Sequence, residues 1–154
     1  MTDKTIFTLS IDAERETKYG IPALVVRCSQ SRVRKDGWGR KHSIPQVDIY
    51  VVTGTPLAQG PWAGNELHMH SLFVRFDQEK PRQEMWGDST DYAGVFLRTF
   101  TDKGKLEFIQ RIANAKRMIF GYQPYLGSPE NAEFDLSGAA EYINKMGHTC
   151  EWGK

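Results

Sequence analysis

The segment Val74–Asp91, VRFDQEKPRQEMWGDSTD, places an arginine, several carboxylates, two hydroxyls and an indole within a short span. These residues could form an active site, or they could be a strand end and the turn after it in a β-rich domain. Arg75 and Asp77 share one strand face, so we expect a structural ion pair or an anchor for neighbouring loops. Short polar side chains in Gly87–Asp91 favour hydrogen bonds to nearby backbone amides, above a packed Trp86. The segment therefore predicts a strand end, an exposed charged turn and a Trp-anchored loop.

Apolar patterns on both sides of this segment predict the other elements. Predicted strands are Thr5–Ile11, Ala23–Cys28, Val47–Val52, Leu67–Asp77, Tyr92–Phe100 and Arg117–Pro124, with a short strand or turn at Ala132–Gly138. Apolar residues at helical spacing predict two helices, one capped by Thr101 or Asp102 and one that ends before Gly147. Because the strands come in runs, the predicted class is α+β, a mainly antiparallel sheet with two short helices in a single domain of residues 1–154.

Two segments rich in Gly and Pro predict a long loop or hairpin tip at residues 29–46 and a second long loop at residues 53–66. The first contains a basic cluster with two aromatic rings: Arg32, Arg34, Lys35, Trp38, Arg40, Lys41 and His42. Cations beside an aromatic ring can bind phosphates and stack on a base. The alternative is a solvated hairpin tip with Trp38 folded back on the body. If the loop is functional, an acidic protein surface is as suitable a target as nucleic acid.

The composition indicates a soluble globular protein. The chain has 154 residues, of which 40% are hydrophobic and 25% charged, and its net charge is +1. Nucleic-acid-binding domains are typically more basic, so nucleic acid is not the expected partner. No apolar segment approaches the roughly 20 residues that span a bilayer, and the first residues do not resemble a secretory signal. As written, the chain is expected in the cytoplasm without membrane insertion, or in the periplasm if a leader has been removed.

The sequence contains no complete catalytic or metal-binding motif. His68 and His70 share a strand face and could chelate a metal, but no third ligand stands out, and ordinary strand histidines are the alternative. There is no serine elbow around Ser89 and no phosphate-binding glycine loop. We therefore expect no enzyme activity, no catalytic residue, no metal and no cofactor. Arg75 and Asp77 remain candidates for contact with a ligand.

The two cysteines, Cys28 and Cys150, lie far apart and form no Cys-x-x-Cys pair. A cysteine-based zinc site is therefore not expected. They are either two buried thiols or one disulfide, which a reducing cytoplasm would normally keep open.

Eight short motifs follow one another in order along the chain. They are LVVRC (24–28), VDIYV (47–51), VRFD (74–77), MWGDSTD (85–91), VFLRTF (95–100), FIQRIANAKRMIFGYQPY (108–125), AEFDLSGAAEYI (132–143) and CEW (150–152). In combination they resemble the type VI secretion system-associated accessory proteins of the TagO/VasI kind, over residues of about 24–152. The resemblance implies a small non-enzymatic α+β domain that acts through protein contacts at the bacterial envelope. It also implies that Cys28 and Cys150 match the family's two cysteines, which pair in a periplasmic member.

The absence of the family's leader from the chain as written favours a second context, a phage- or mobile-element-encoded inhibitor of a bacterial defence system. A further alternative is a binder of phosphate or nucleotide ligands that uses the basic loop. In the protein-binding contexts, loops on a rigid scaffold are expected to carry recognition, with Trp and Arg as anchors. The predicted contact residues are Arg34, Trp38, Arg40, Lys41, Trp62, His68 and His70.

Overall fold

Eight strands and two helices make up the part of the chain that the computed structural model describes, residues 6–35, 37–58, 69–89, 93–97 and 102–150. The strands are β1 (Ile6–Asp12), β2 (Ala23–Lys35), β3 (Lys41–Val52), β4 (Met69–Phe76), β5 (Arg82–Asp88), β6 (Gly94–Leu97), β7 (Arg117–Tyr122) and β8 (Glu130–Asp135). The helices are α1 (Asp102–Asn114), between β6 and β7, and α2 (Ala139–Thr149), after β8. The predicted α+β class, with a mainly antiparallel sheet and two short helices, is confirmed.

The strands form one sheet in the order β1-β2-β3-β6-β5-β4-β7-β8, and every neighbouring pair is antiparallel. The two outer strands lie close to each other at one point. There, the Glu14 backbone amide just after β1 donates a hydrogen bond to the Glu133 carbonyl of β8 at 2.9 Å. Arg117 reinforces this approach, with its guanidinium 3.0 Å from the Glu14 carboxylate and 3.4 Å from that of Glu133. The sheet is therefore strongly curved.

One face of the sheet packs against both helices and forms the core. On β4, Leu72 and Val74 are buried while Phe73 between them is 54% exposed, since successive strand side chains point to opposite faces. The helices contribute Phe108, Ile109, Ile112, Ala139, Ile143 and Met146. Trp86 is completely buried among them, with its ring edge-to-face against Phe108 at 5.7 Å between centroids.

The expectation of a Trp-anchored loop after β4 is wrong, because Arg82–Asp88 forms strand β5. The tight turn is limited to residues 77–81, and Trp86 pairs with His70 on β4 and with Leu97 on β6. The Trp86 indole N–H donates to Glu84 Oε2 at 3.2 Å, so the buried ring keeps a polar partner. Of the polar residues that suggested a loop, Asp88 ends a strand with a hydrogen-bonded partner on each side, Ser89 follows it, and Thr90 and Asp91 lie outside the described residues.

For residues 29–46 the hairpin alternative is confirmed and the open loop is wrong, because most of the segment is the outer part of the β2–β3 hairpin. Ser29 pairs with Gln46 and Arg32 pairs with Ile44, so two residues of β2 lie opposite Pro45 alone. This is a β-bulge, a common place for proline, which has no amide hydrogen to give to a ladder. Of the predicted loop 53–66, residues 53–58 are described and are irregular apart from a bridge between Leu57 and Pro124.

A disulfide between Cys28 and Cys150 joins β2 to the end of α2, with the two Cα atoms 6.2 Å apart. This confirms the pairing that the resemblance implies. Both cysteines are buried, to 1% exposure or less. The helix reaches this bond because it continues through Gly147, where the sequence predicted its end, and the Cys150 amide still donates to the Met146 carbonyl at 2.7 Å.

Replacing both Cys28 and Cys150 by Ala should lower the free energy of unfolding by about 4–5 kcal/mol, the chain-entropy value for a closed loop of this length. The sequence separation of the bonded residues is 122. Urea titrations of the two proteins, with and without dithiothreitol, measure the difference. Dithiothreitol should lower the unfolding midpoint of the wild type to that of the variant, and it should leave the midpoint of the variant unchanged. Equal midpoints for the oxidised wild type and the variant would contradict the stabilising role.

Candidate functional site

The β2–β3 hairpin extends beyond the strands on either side of it. β1 pairs with β2 only as far as Ser29, and β6 pairs with β3 only from Tyr50 onward. In the described part of the chain, residues 30–45 therefore pair only with each other, and we call them the ribbon. Its arms beyond the bulge, up to the Lys35–Lys41 pair, are about 13 Å long at ~3.3 Å per residue.

The ribbon concentrates positive charge. Residues 32–42 contain five Arg or Lys and one Asp, a net charge of +4, whereas the whole chain has +1. Lys35 is the register partner of Lys41, and Arg34 is that of His42. Like charges in directly opposed positions destabilise an antiparallel pair.

Trp38 stands at the tip of the ribbon, in the turn between its two arms. The side chain is 90% exposed, so the alternative in which it folds back on the body is wrong. Gly39 follows with a φ of 77°, a conformation that glycine adopts without strain. Arg40 beside it is also exposed. The tip thus holds a large apolar ring in solvent next to cationic residues.

The other predicted contact residues fall in three places. Arg34 and Lys41 lie on the two arms of the ribbon. Trp62 and His68 lie outside the described residues. His70 is only 4% exposed and therefore does not belong to a contact surface.

His70 links β4 to β5 and to the segment after β3. Its Nε2 is 2.6 Å from Asp88 Oδ1, and its Nδ1 is 2.8 Å from the Ala58 carbonyl oxygen. Because a carbonyl oxygen only accepts hydrogen bonds, Nδ1 donates to the Ala58 carbonyl. The hydrogen bond between Nε2 and Asp88 Oδ1 contains one proton, which is bonded to one of these two atoms. Both ring nitrogens are thus engaged, and His70 can neither accept a substrate proton nor bind a metal without losing a buried bond. Across the described ranges, no group of three or more His, Cys, Asp or Glu could hold a metal ion.

Asp77 connects the β4–β5 turn to the start of β7. Its Oδ1 accepts hydrogen bonds from the backbone amides of Lys116 and Arg117, both at 3.0 Å. Arg75 Nε donates to the Asp77 backbone carbonyl at 3.1 Å. The anchoring alternative is therefore confirmed for Asp77, while contact of either residue with a ligand stays a prediction.

Sequence reasoning missed the turn after β7, where Tyr125 and Leu126 are 68% and 82% exposed. Beneath it, Tyr122 is buried, and its hydroxyl has no hydrogen-bond partner. The pKa of Tyr122 is raised to about 12, mainly by burial and to a smaller extent by the charges of Glu130 and the neighbouring Tyr19. The only sequence signal was the pair of large apolar residues between Pro and Gly.

Comparison with protein-family models, with curated proteins and with solved structures finds no match in any of the three. The likeness to the TagO/VasI-type accessory proteins thus rests on the short sequence motifs alone. Among the described residues, no helix is long and apolar enough to cross a membrane. Function must be inferred from the surfaces that this chain presents.

His70→Ala should lower the free energy of unfolding by about 2–4 kcal/mol, because it removes the hydrogen bonds of the ring to the Ala58 carbonyl and the Asp88 carboxyl. Asp88→Ala should cost a similar amount, and the double variant should cost clearly less than the sum of both. Urea titrations of the four proteins give this coupling energy. His148→Ala, at an exposed position, is the matched control. Strictly additive losses would show that the two side chains do not act as a pair.

Tyr122→Phe should keep or raise stability at neutral pH, since it removes a buried hydroxyl without a partner. The folded pKa of about 12 exceeds the ordinary value of 10.0. Between these values the unfolded chain loses the proton first, so stability falls as pH rises through this window. Unfolding midpoints at a series of pH values should fall less steeply in Tyr122→Phe than in the wild type. The control Tyr142→Phe, at an exposed tyrosine, should follow the wild type; parallel curves for all three would refute the assignment.

Proposed function

We propose that this chain is a non-catalytic binding module that uses the ribbon to recognise an acidic surface on a protein partner. The observation that carries the proposal is Trp38, 90% exposed at the tip of a segment whose net charge is +4. Trp and Arg contribute most to protein interfaces when they enter desolvated pockets. A hairpin that holds an indole forward can insert the ring, while the cations on its arms meet carboxylates around it.

The distribution of charge favours a protein over a nucleic acid. Residues 32–42 carry +4 in a chain with a net charge of +1, so the remaining residues are net negative. A long polyphosphate would meet repulsion from this remainder, and typical nucleic-acid-binding domains are basic as a whole. An acidic patch on a protein has a limited size, which a ribbon with arms of about 13 Å can cover.

The disulfide supports an oxidising compartment such as the periplasm, because disulfides persist there and are rare in the cytosol. Of the two contexts, this favours an accessory factor of a bacterial envelope complex, as in the TagO/VasI-type proteins. An inhibitor of a bacterial defence complex, encoded by a phage or mobile element and acting in the cytoplasm, is the second context. Both roles require binding and no catalysis.

A second candidate function is the binding of a phosphate-bearing ligand. The observation that favours it is the direct opposition of Lys35 and Lys41 near the tip. Titration of a fluorescent oligonucleotide at increasing salt concentration tests it, because phosphate contacts make affinity fall linearly with the logarithm of salt concentration. Binding at physiological salt with such a slope would establish this candidate and displace the first.

Trp38→Ala combined with Arg40→Ala should weaken the protein complex at least about 30-fold, since truncation of an interface hot spot costs about 2 kcal/mol. Affinity purification of the wild type from its native cells, with identification by mass spectrometry, supplies the partner. Calorimetric titration of the purified pair gives the dissociation constant. Stability should change by less than about 0.5 kcal/mol, as for most surface substitutions.

The matched control is Tyr142→Ala with Lys145→Ala, another aromatic–cation pair, on α2, with the ammonium 5.7 Å from the ring centroid. This variant should bind like the wild type. If the Trp38/Arg40 variant binds the identified partner as tightly as the control does, the ribbon is not the recognition element.

A further inference from the structure

The cross-strand pair Cys28–Val47 lies at the base of the ribbon, next to the last pair before the bulge. We call it the root pair. Among the described residues, the sheet gives it little support from neighbouring strands. β1 begins at Ile6, beside the residue that pairs with Cys28, and β6 pairs with β3 from Tyr50 onward without reaching Val47. Whatever else holds the root pair therefore sets the direction in which the ribbon leaves the body.

Both helices attach to the root pair. α2 does so covalently, through the bond between Cys28 and Cys150. α1 does so through Lys105 in its first turn, whose Nζ donates to the Val47 carbonyl oxygen at 3.0 Å. This bond is charge-assisted and is therefore stronger than one between neutral groups. Each strand of the root pair is thus held by a different helix.

The two helices and the root pair belong to one packed body. α1 and α2 contact each other and contribute to a single buried core. The side chains of Cys28 and Val47 lie in the same core, at 1% and 5% exposure. The ribbon consequently starts from a rigid base, although its own residues beyond the bulge have no third strand in the described part of the chain.

The ribbon depends on such a base for its order. A two-stranded hairpin is at best marginally stable by itself in water. The bulge interrupts its ladder, and Lys35 and Lys41 oppose each other near its tip. A partner that binds a mobile ribbon has to order it first, and this ordering lowers the affinity. Fixing the root pair removes part of that cost without adding any contact to the partner.

We propose that formation of the Cys28–Cys150 bond activates the ribbon, by fixing the root pair in the orientation that the partner recognises. Lys105 is a positioning residue that acts on the other strand of the same pair. The inference rests on the proposed recognition by the ribbon. In the activating step the two thiols lose two protons and two electrons, and a disulfide-bearing oxidant takes these up and becomes a dithiol. Both cysteines are buried in the finished fold, so the active state persists as long as α2 stays in place.

The first experiment needs no partner and measures amide order parameters by NMR relaxation. Ribbon amides should be rigid in the oxidised wild type, at about 0.85, and should fall below about 0.6 in Cys28→Ala with Cys150→Ala. Lys105→Met keeps the disulfide and should give an intermediate loss, which Lys105→Arg restores. Lys103→Met, at an exposed position in the same helical turn, is the matched control and should match the wild type.

The β4–β5 hairpin is the internal reference, since neither helix bond reaches it. Its order parameters should stay the same in all five proteins. Equal ribbon mobility in the wild type and in both the cysteine variant and Lys105→Met would overturn the proposal. Equal loss of order in the ribbon and in β4–β5 would also overturn it, because the bonds would then stabilise the fold in general. Lys105→Met decides the question if the cysteine variant does not fold.

The second experiment titrates the purified partner by calorimetry. The cysteine variant should bind about 10-fold more weakly, as expected when the competent conformation falls to about a tenth of the molecules, and Lys103→Met should bind like the wild type. Wild-type affinity in the cysteine variant, with binding lost in the Trp38/Arg40 variant, would overturn the activation and leave the proposed function intact. Wild-type affinity in both would overturn the proposed function itself, and the activation of recognition with it.

Discussion

The ladder between β2 and β3 runs from the Ala23–Val52 pair at one end to the Lys35–Lys41 pair at the other. β1 joins the sheet through β2, and β6 joins it through β3, so this ladder connects the outer strand to the remainder of the sheet. Its inward residues, among them Leu24 and Ile49, are almost fully buried. The same ladder also carries the cysteine that holds α2. Core, covalent link and projecting ribbon therefore all depend on one strand pair keeping its register.

The bulge opposite Pro45 divides that ladder into two parts with different roles. On one side, both strands have further neighbours and apolar residues that pack in the core. On the other side, among the residues that the structure describes, the strands pair only with each other, and four of their eight paired residues are Arg or Lys. A proline within a strand usually weakens pairing. Here it coincides with the point where the sheet ends and the ribbon begins, so the interruption lies where no third strand needs the backbone bond.

The apolar periodicity of the sequence predicted the α+β class, most strands and both helices. It failed at β5 because the buried Trp86 is surrounded by polar residues and Gly87, a composition typical of turns. In the ribbon it left an open loop and a hairpin tip as alternatives, and the Gly and Pro residues there mark a tip and a bulge. Pairing with a neighbouring strand decides both cases, and the composition of the segment itself does not contain that information.

The candidate surfaces were predictable to different degrees. The basic residues and Trp38 are visible in the sequence, but exposure of the indole follows only from the length of the hairpin. The partners of His70 are a carboxylate 18 residues away and a backbone carbonyl, which no spacing rule connects. The predicted strand ended at Pro124, and nothing in the sequence indicated that Tyr125 and Leu126, just beyond it, are exposed.

The position of the disulfide also determines when the molecule can be completed during biosynthesis. Cys28 emerges from the ribosome 122 residues before Cys150. When Cys150 emerges, all the strands described above have been synthesised. Domains begin to fold while the chain is still being made, from the N-terminal side. The first thiol therefore has to stay unreacted, or exchange its partner, until the last helix arrives. Where this bond forms, it therefore closes only after the whole polypeptide between the two sulfur atoms has been made.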